Sequence, residues 1–175
     1  PEAVVDTQLD ALRTEDKVTP DLIFRDPYVL DFLNLPQDHA ETDLEQAILR
    51  ELEAFLAELG DGFCFVARQK RMTVGPDDFY LDLLFFHRRL RRLVAIELKL
   101  GRFMPADIGQ MMLYLRWLDR YERLPEEDSP IGLLLCSEAD HERVNLLELA
   151  DGSIRVAQYL TQLPSPEVFA QKLHD

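Results

Sequence analysis

Three polar residues interrupt runs that otherwise belong inside a protein: Asp82 in LDLLFF, and Glu97 and Lys99 in VAIELKL. Burying an unpaired carboxylate or ammonium is costly, so such residues are paired, hold a metal or sit at an opening in the core. Strand alternation projects Glu97 and Lys99 from one face and turns Leu98 away. The two runs flank HRRLRR and read as an antiparallel hairpin. A turn centred between Arg89 and Leu90 puts Asp82 directly across from Glu97, with Lys99 one step along the same face. The turn has neither Gly nor Asn, so a slip of one or two residues stays open. Two carboxylates a few ångströms apart repel unless a cation lies between them, and hard oxygen ligands suit Mg²⁺ or Mn²⁺. A nearby lysine can hold an attacking water and offset charge developing on a scissile phosphate. The plainer alternative is an ion pair of Lys99 with Glu97 or Asp82 that fixes the hairpin and does nothing else.

These residues need elements to position them. Residues 1–22 are polar and acidic and read as a tail or linker, with a turn at Thr19-Pro20-Asp21. DPYVLDFLNLP reads as a short helix or helical turn docked on the core. Thr42-Asp43 offers caps for one helix closing at Gly60, with Leu44, Ala47, Ile48, Leu52, Phe55, Leu56 and Leu59 at helical spacing. FCFVARQKRMTV reads as a strand ending at the turn Gly75-Pro76-Asp77-Asp78, and the hairpin follows. Helical spacing returns over 105–121, IGLLLCS suits a strand buried on both faces, and a helix near 140–150, a strand at SIRVAQYL and a helix from Ser165 complete the chain. The order predicts a single α/β domain without internal repeats.

The chain has 175 residues, 47% of them hydrophobic and 30% charged, which describes a water-soluble globular domain. Its net charge of −14 argues against a generally basic nucleic-acid coat and against attachment to anionic lipid. The average conceals a contrast: residues 64–102 carry nine bases and four acids, while the remainder carries ten bases and 29 acids. One basic segment on an acidic body suits a polyanion met at one face, although hairpin turns also carry solvated arginines without a partner. Cys64 and Cys136 lie in apolar runs and form no disulfide framework, so a reducing cytoplasm is the expected home. No run is long enough for a membrane span, and the first residues lack signal-peptide character. The chain starts with Pro1, as expected of a processed product or a domain of something longer.

Helix acid, strand Asp82, strand Glu97-x-Lys99 and a following helix together resemble the PD-(D/E)xK nuclease superfamily. DPYVLDFLNLP, the Glu-rich helix ending in ELG, FVARQKRMTVG, FYLDLLFFHRRLRRLVAIELKLGRF, GQMMLYL and IGLLLC resemble, in order and spacing, the C-terminal nuclease domain of the YhcG-like bacterial family. The resemblance covers about residues 24–160. It implies a restriction-endonuclease-like αβββαβ core, with a mixed central sheet flanked by helices, over 23–175. It also implies a phosphodiester hydrolase acting on nucleic acid, DNA first, with Mg²⁺ or Mn²⁺ as cofactor. Asp82 and Glu97 would be the metal ligands and Lys99 the catalytic lysine. Glu45 would be the first-helix acid, with Glu51 and Glu53 as alternatives. Gln110 and Tyr114 match a Q-x-x-x-Y motif that supports substrate or site in RecB-like members.

Arg68, Gln69, Lys70 and Arg71 alternate along the first strand and, with the arginines from Arg88 to Arg92, are candidates for phosphate contacts that position nucleic acid without reading its sequence. The Pro76-Asp77 pair falls in a turn, so Asp82 is preferred to it; Asp77 and Asp78 read as turn residues bonding their own backbone. His87 at the hairpin end reads as a surface or packing residue, and His39, His141 and His174 show no metal-ligand spacing. The resemblance further implies an N-terminal helical domain as a partner in the full-length protein, and a homodimer, as in superfamily members that cut both strands. A reading of a different class is a non-catalytic nucleic-acid- or protein-binding module that keeps the nuclease fold.

Overall fold

A computed structural model of the chain describes residues 19–147 and 152–162. Pro20–Ile23 makes one turn of helix (α1), Tyr28–Val29 a two-residue strand (β1) and Asp31–Leu33 a 3₁₀ turn. Helices α2 (Glu41–Arg50) and α3 (Leu52–Leu59) follow, then strands β2 (Phe63–Val74), β3 (Asp77–His87) and β4 (Arg92–Lys99). Helix α4 (Pro105–Tyr121), strand β5 (Ile131–Cys136), helix α5 (His141–Leu147) and strand β6 (Ile154–Leu160) complete the order. The helix expected from Ser165 and the end of the one expected near 140–150 lie outside the described residues.

The six strands form one sheet in the order β1-β6-β5-β4-β3-β2. β2, β3 and β4 are antiparallel, whereas β4, β5, β6 and β1 run parallel. β4 therefore joins the two halves, and α4 is the crossover that parallel pairing with β5 demands. The αβββαβ order is the expected one. Every residue of β5 is buried, as its unbroken apolar run requires.

Two apolar layers clamp the sheet. On one face Leu44, Ile48 and Phe55 of α2 and α3 pack with Leu83, Phe85, Val94, Ile96, Leu98 and Leu133. On the other, Met111, Leu115 and Leu118 of α4 pack with Leu84, Leu93, Ala95 and Leu134. Each such fully buried leucine or phenylalanine contributes about 1.5–3 kcal/mol through lost water contact. The alternation along β4, with Leu93 and Ala95 facing α4, puts Glu97 and Lys99 on the α4 face at the strand's end.

Several local expectations change. The helix expected to run unbroken to Gly60 is interrupted at Glu51 (φ −112°, ψ 40°) and starts after Ala40, whose N–H is accepted by Asp43 at 3.1 Å. DPYVLDFLNLP contains the expected helical turn but also β1, which pairs with β6. Asp77 and Asp78 belong to β3, and Asp78 accepts the Thr73 hydroxyl at 2.6 Å and pairs with Arg71 at 2.8 Å instead of bonding its own backbone. Cys64 and Cys136 are free thiols. Among the described residues, no helix is long and apolar enough to cross a membrane.

Candidate active site

The β3–β4 ladder pairs Leu83 with Ile96 and His87 with Arg92, the register that sets Asp82 opposite Glu97. At this point side chains take over from the ladder. The Asp82 N–H donates to Glu97 Oε1 at 2.9 Å, and the Leu98 N–H donates to Asp82 Oδ2 at 2.9 Å. Each carboxyl group is thus held by a main-chain N–H of the facing strand.

Glu45 of α2 is 92% removed from solvent and approaches the same place. The side-chain nitrogen of Gln69 donates to Glu45 Oε2 at 2.8 Å and to Asp82 Oδ1 at 3.1 Å. Arg68 Nε stands 3.8 Å from Glu45 Oε1. Consecutive strand residues should point to opposite faces, yet Arg68 and Gln69 both reach Glu45, so the expected alternation from Arg68 to Arg71 breaks here. The cause is the backbone of Gln69, which is left-handed at φ 43° in the middle of β2. For a residue other than glycine this costs roughly 1–2 kcal/mol. A shift of register between Phe65 and Ala67 adds a second irregularity just upstream.

Glu41, one turn before Glu45, accepts the Leu100 N–H at 2.8 Å and adds negative charge beside both strand acids. Lys99 Nζ lies 3.8 Å from Asp107 Oδ2, so its ion pair is with α4 and not with Glu97 or Asp82. Asp107 also accepts the Met104 N–H at 2.6 Å, closing the first turn of α4. Gln110 donates to the Tyr114 hydroxyl at 2.6 Å, on the helix face turned to the site. Glu41 and Asp107 were not among the residues singled out from sequence. Glu41 had one signal, its place four residues before Glu45; Asp107 had only its capping position.

Other candidates lie elsewhere. Lys70 pairs with Glu122 at 2.9 Å beyond the end of α4, and Arg88 is exposed at the hairpin turn. Arg88 is six residue steps from Asp82, about 20 Å at the usual strand rise. Glu51 and Glu53 are exposed. His87 is buried, its ring held by the Asp61 carbonyl at 3.1 Å and the Leu90 N–H at 3.2 Å, which is a packing role.

The electrostatics follow from burying several acids together. Burial, followed by the charge of Asp82, pushes the Glu97 carboxyl up to about 8, with Glu41 and Asp107 adding and the Asp82 N–H opposing. Burial raises Asp82 as well, against the pull of the Leu98 N–H and the Gln69 amide. The Tyr114 hydroxyl is pushed up to about 12 by burial and by Glu97 and Asp82, so it stays protonated. Glu45 Oε1 is buried with no hydrogen-bond partner. Acids this reluctant to ionise, beside an orphaned carboxylate oxygen, fit a divalent cation. Among the described residues no three His, Cys, Asp or Glu side chains group closely enough to hold a metal unaided. The protein would then supply Asp82 and Glu97, with other oxygens completing the shell, as Mg²⁺ accepts.

The chain is similar to known proteins. The family model of the YhcG PDDEXK nuclease domain matches residues 21–174. The Escherichia coli (strain K12) protein named "Putative nuclease YhcG" is 42% identical over 161 residues, covering 91% of this chain and 43% of that protein. The chain thus spans less than half the length of this relative. Among solved structures, a repair endonuclease from Pyrococcus abyssi aligns with a TM-score of 0.49 at 16% identity, over 71% of this chain and 48% of its own. EndoMS in its apo form aligns with a TM-score of 0.47 at 19% identity, over 74% and 49%. The extent of the family match, together with the order αβββαβ around Asp82, Glu97 and Lys99, leads to one assignment: the chain belongs to the YhcG PDDEXK nuclease domain family.

Proposed function

We propose that this chain is a metal-dependent nuclease domain hydrolysing phosphodiester bonds of nucleic acid, with DNA as its substrate. The observation that carries the reading is the interlocked pair Asp82 and Glu97, with Lys99 following on the same strand face. Asp82 and Glu97 hold Mg²⁺ or Mn²⁺, and Glu45 lies beside them through Gln69, its Oε1 without a hydrogen bond and 3.8 Å from Arg68 Nε. The bound ion supplies Lewis-acid polarisation of the phosphate and lowers the pKa of water.

The chain's own residues do the rest. Lys99, whose side chain is one-third exposed, orients the attacking water through Nζ and offsets charge on the phosphate oxygens. Asp107, 3.8 Å from Nζ, aims the lysine along α4. Gln110 and Tyr114 present a neutral hydrogen-bonding pair to the substrate side. Arg68, more than half exposed, meets a neighbouring phosphate.

The test is cleavage of linear, circular and single-stranded DNA with Mg²⁺ or Mn²⁺, comparing the chain with Lys99→Ala and with chelated controls. Cation-dependent cleavage lost in the variant supports the reading, and opening of circles identifies internal cutting. Cleavage that survives both chelation and Lys99→Ala sinks it.

A further inference from the structure

Gln69 stands where three elements meet. It sits on β2, and its side-chain nitrogen bonds Glu45 on α2 at 2.8 Å and Asp82 on β3 at 3.1 Å. Both neighbours are carboxylate oxygens, which accept only, so the amide must turn its nitrogen toward them and spend both hydrogens there. A nitrogen with two N–H groups between two carboxylates offsets their repulsion and fixes their separation. The backbone bears strain to put it there, since Gln69 is left-handed at φ 43° inside a twelve-residue strand. Without that conformation regular alternation would carry the side chain to the face opposite Arg68, away from Glu45.

We propose that Gln69 is a positioning residue for the cation: its amide ties Glu45 to Asp82 and sets the helix acid at the distance from the strand acid that a shared divalent ion requires. The inference rests on the metal-dependent reading above and assigns to Gln69 a role distinct from contact with substrate. Partners that orient metal-binding carboxylates typically change affinity 10–100-fold when removed.

The experiment is calorimetric titration of the whole chain with Mn²⁺, with no substrate present, in four variants. Gln69→Met removes the amide and keeps its bulk; it is expected to weaken Mn²⁺ binding about tenfold. In a Glu45→Gln background the same change is expected to cost less than about twofold, because the tie then has nothing to position. Gln69→Gly separates this role from scaffolding: glycine relaxes the left-handed backbone, so melting temperature holds or rises while Mn²⁺ affinity still falls about tenfold. A tenfold loss in both backgrounds, or unchanged affinity in Gln69→Gly, overturns the proposal while leaving metal dependence standing. A parent chain that binds no Mn²⁺ overturns the metal-dependent reading itself, and this inference with it.

Discussion

Asp82 and Glu97 are joined through each other's strand and not through their carboxyl groups: the Asp82 N–H is bonded to Glu97 Oε1, and Asp82 Oδ2 is bonded to the next N–H beyond Glu97, that of Leu98. The outward lone pairs remain for a ligand while the carboxylates themselves cannot swing apart. A pair fixed by its own backbone in this way is preorganised.

Lys99 is the residue whose removal should harm chemistry and spare the fold. Its only described ion pair is the 3.8 Å one with Asp107, and a third of its side chain meets solvent. Lys99→Ala is expected to slow single-turnover cleavage of labelled DNA at least about 100-fold. Its melting temperature should stay close to the parent's. A rate within a few-fold of the parent would remove Lys99 from the mechanism.

The helix acids offer a paired comparison. Glu45 is buried against Gln69 and Asp82, whereas Glu51 is exposed beyond the next turn. Glu45→Gln is expected to lower cleavage at limiting Mg²⁺ by about tenfold or more, as loss of a metal-orienting group does. Glu51→Gln should lie within about twofold of the parent, the usual scale of an exposed change. Equal effects from the two variants would contradict the placement of α2.

Burial of Glu97 predicts a pH dependence of stability with a definite sign. Its carboxyl titrates near 4.5 when unfolded and about 8 in the fold, so the unfolded chain gives up this proton first. The stability tied to the protonated form is whole below about 4.5 and is lost as pH rises through about 8. Asp82, also raised, acts in the same direction. Without divalent cations the melting temperature should fall by about 3 °C or more from pH 5 to pH 8. Glu97→Gln should flatten the slope, and Mg²⁺ should restore the parent at pH 8. A flat profile in the parent would refute the burial argument.

Gly62 tests the hairpin's far end. Its φ is +99°, and a Cβ built there would meet the His87 ring at 2.7 Å. Gly62→Ala therefore combines backbone strain with displacement of a buried imidazole, and should destabilise the protein by about 2 kcal/mol or more in urea unfolding. A change under about 0.5 kcal/mol would show that the ring can move aside freely.

The site was legible in sequence wherever a polar residue broke an apolar run. Asp82, Glu97 and Lys99 stood out for that reason, and a turn centred between Arg89 and Leu90 gave the β3–β4 register the structure shows, although no turn residue in the sequence excluded a slip. Helix α4 and strand β5 were legible from long, unmixed periodicities. What escaped was set by tertiary contact. The helix break at Glu51 carries no Pro or Gly, and β1 is two residues whose strand character comes only from pairing with Tyr159 and Leu160. The inversion at Gln69 was hidden for a similar reason, since glutamine has no preference for the left-handed region and the two carboxylates that hold it lie 24 and 13 residues away along the chain.

The turn between β3 and β4 sets more than the shape of a hairpin. Arg91 adopts φ 51°, and the turn is tied down by the Arg91 N–H to the His87 carbonyl at 2.8 Å and the Arg88 N–H to the Gly62 carbonyl at 2.9 Å. A strand presents its side chains with a period of two, so one residue inserted or deleted here would carry Glu97 and Lys99 to the face opposite Asp82 while leaving every active-site residue in the sequence. Loops commonly tolerate changes in length, but under the proposed mechanism this one has its length tied to a site about 20 Å away, so a single-residue indel between Arg88 and Arg91 is expected to abolish cleavage while the nuclease fold persists.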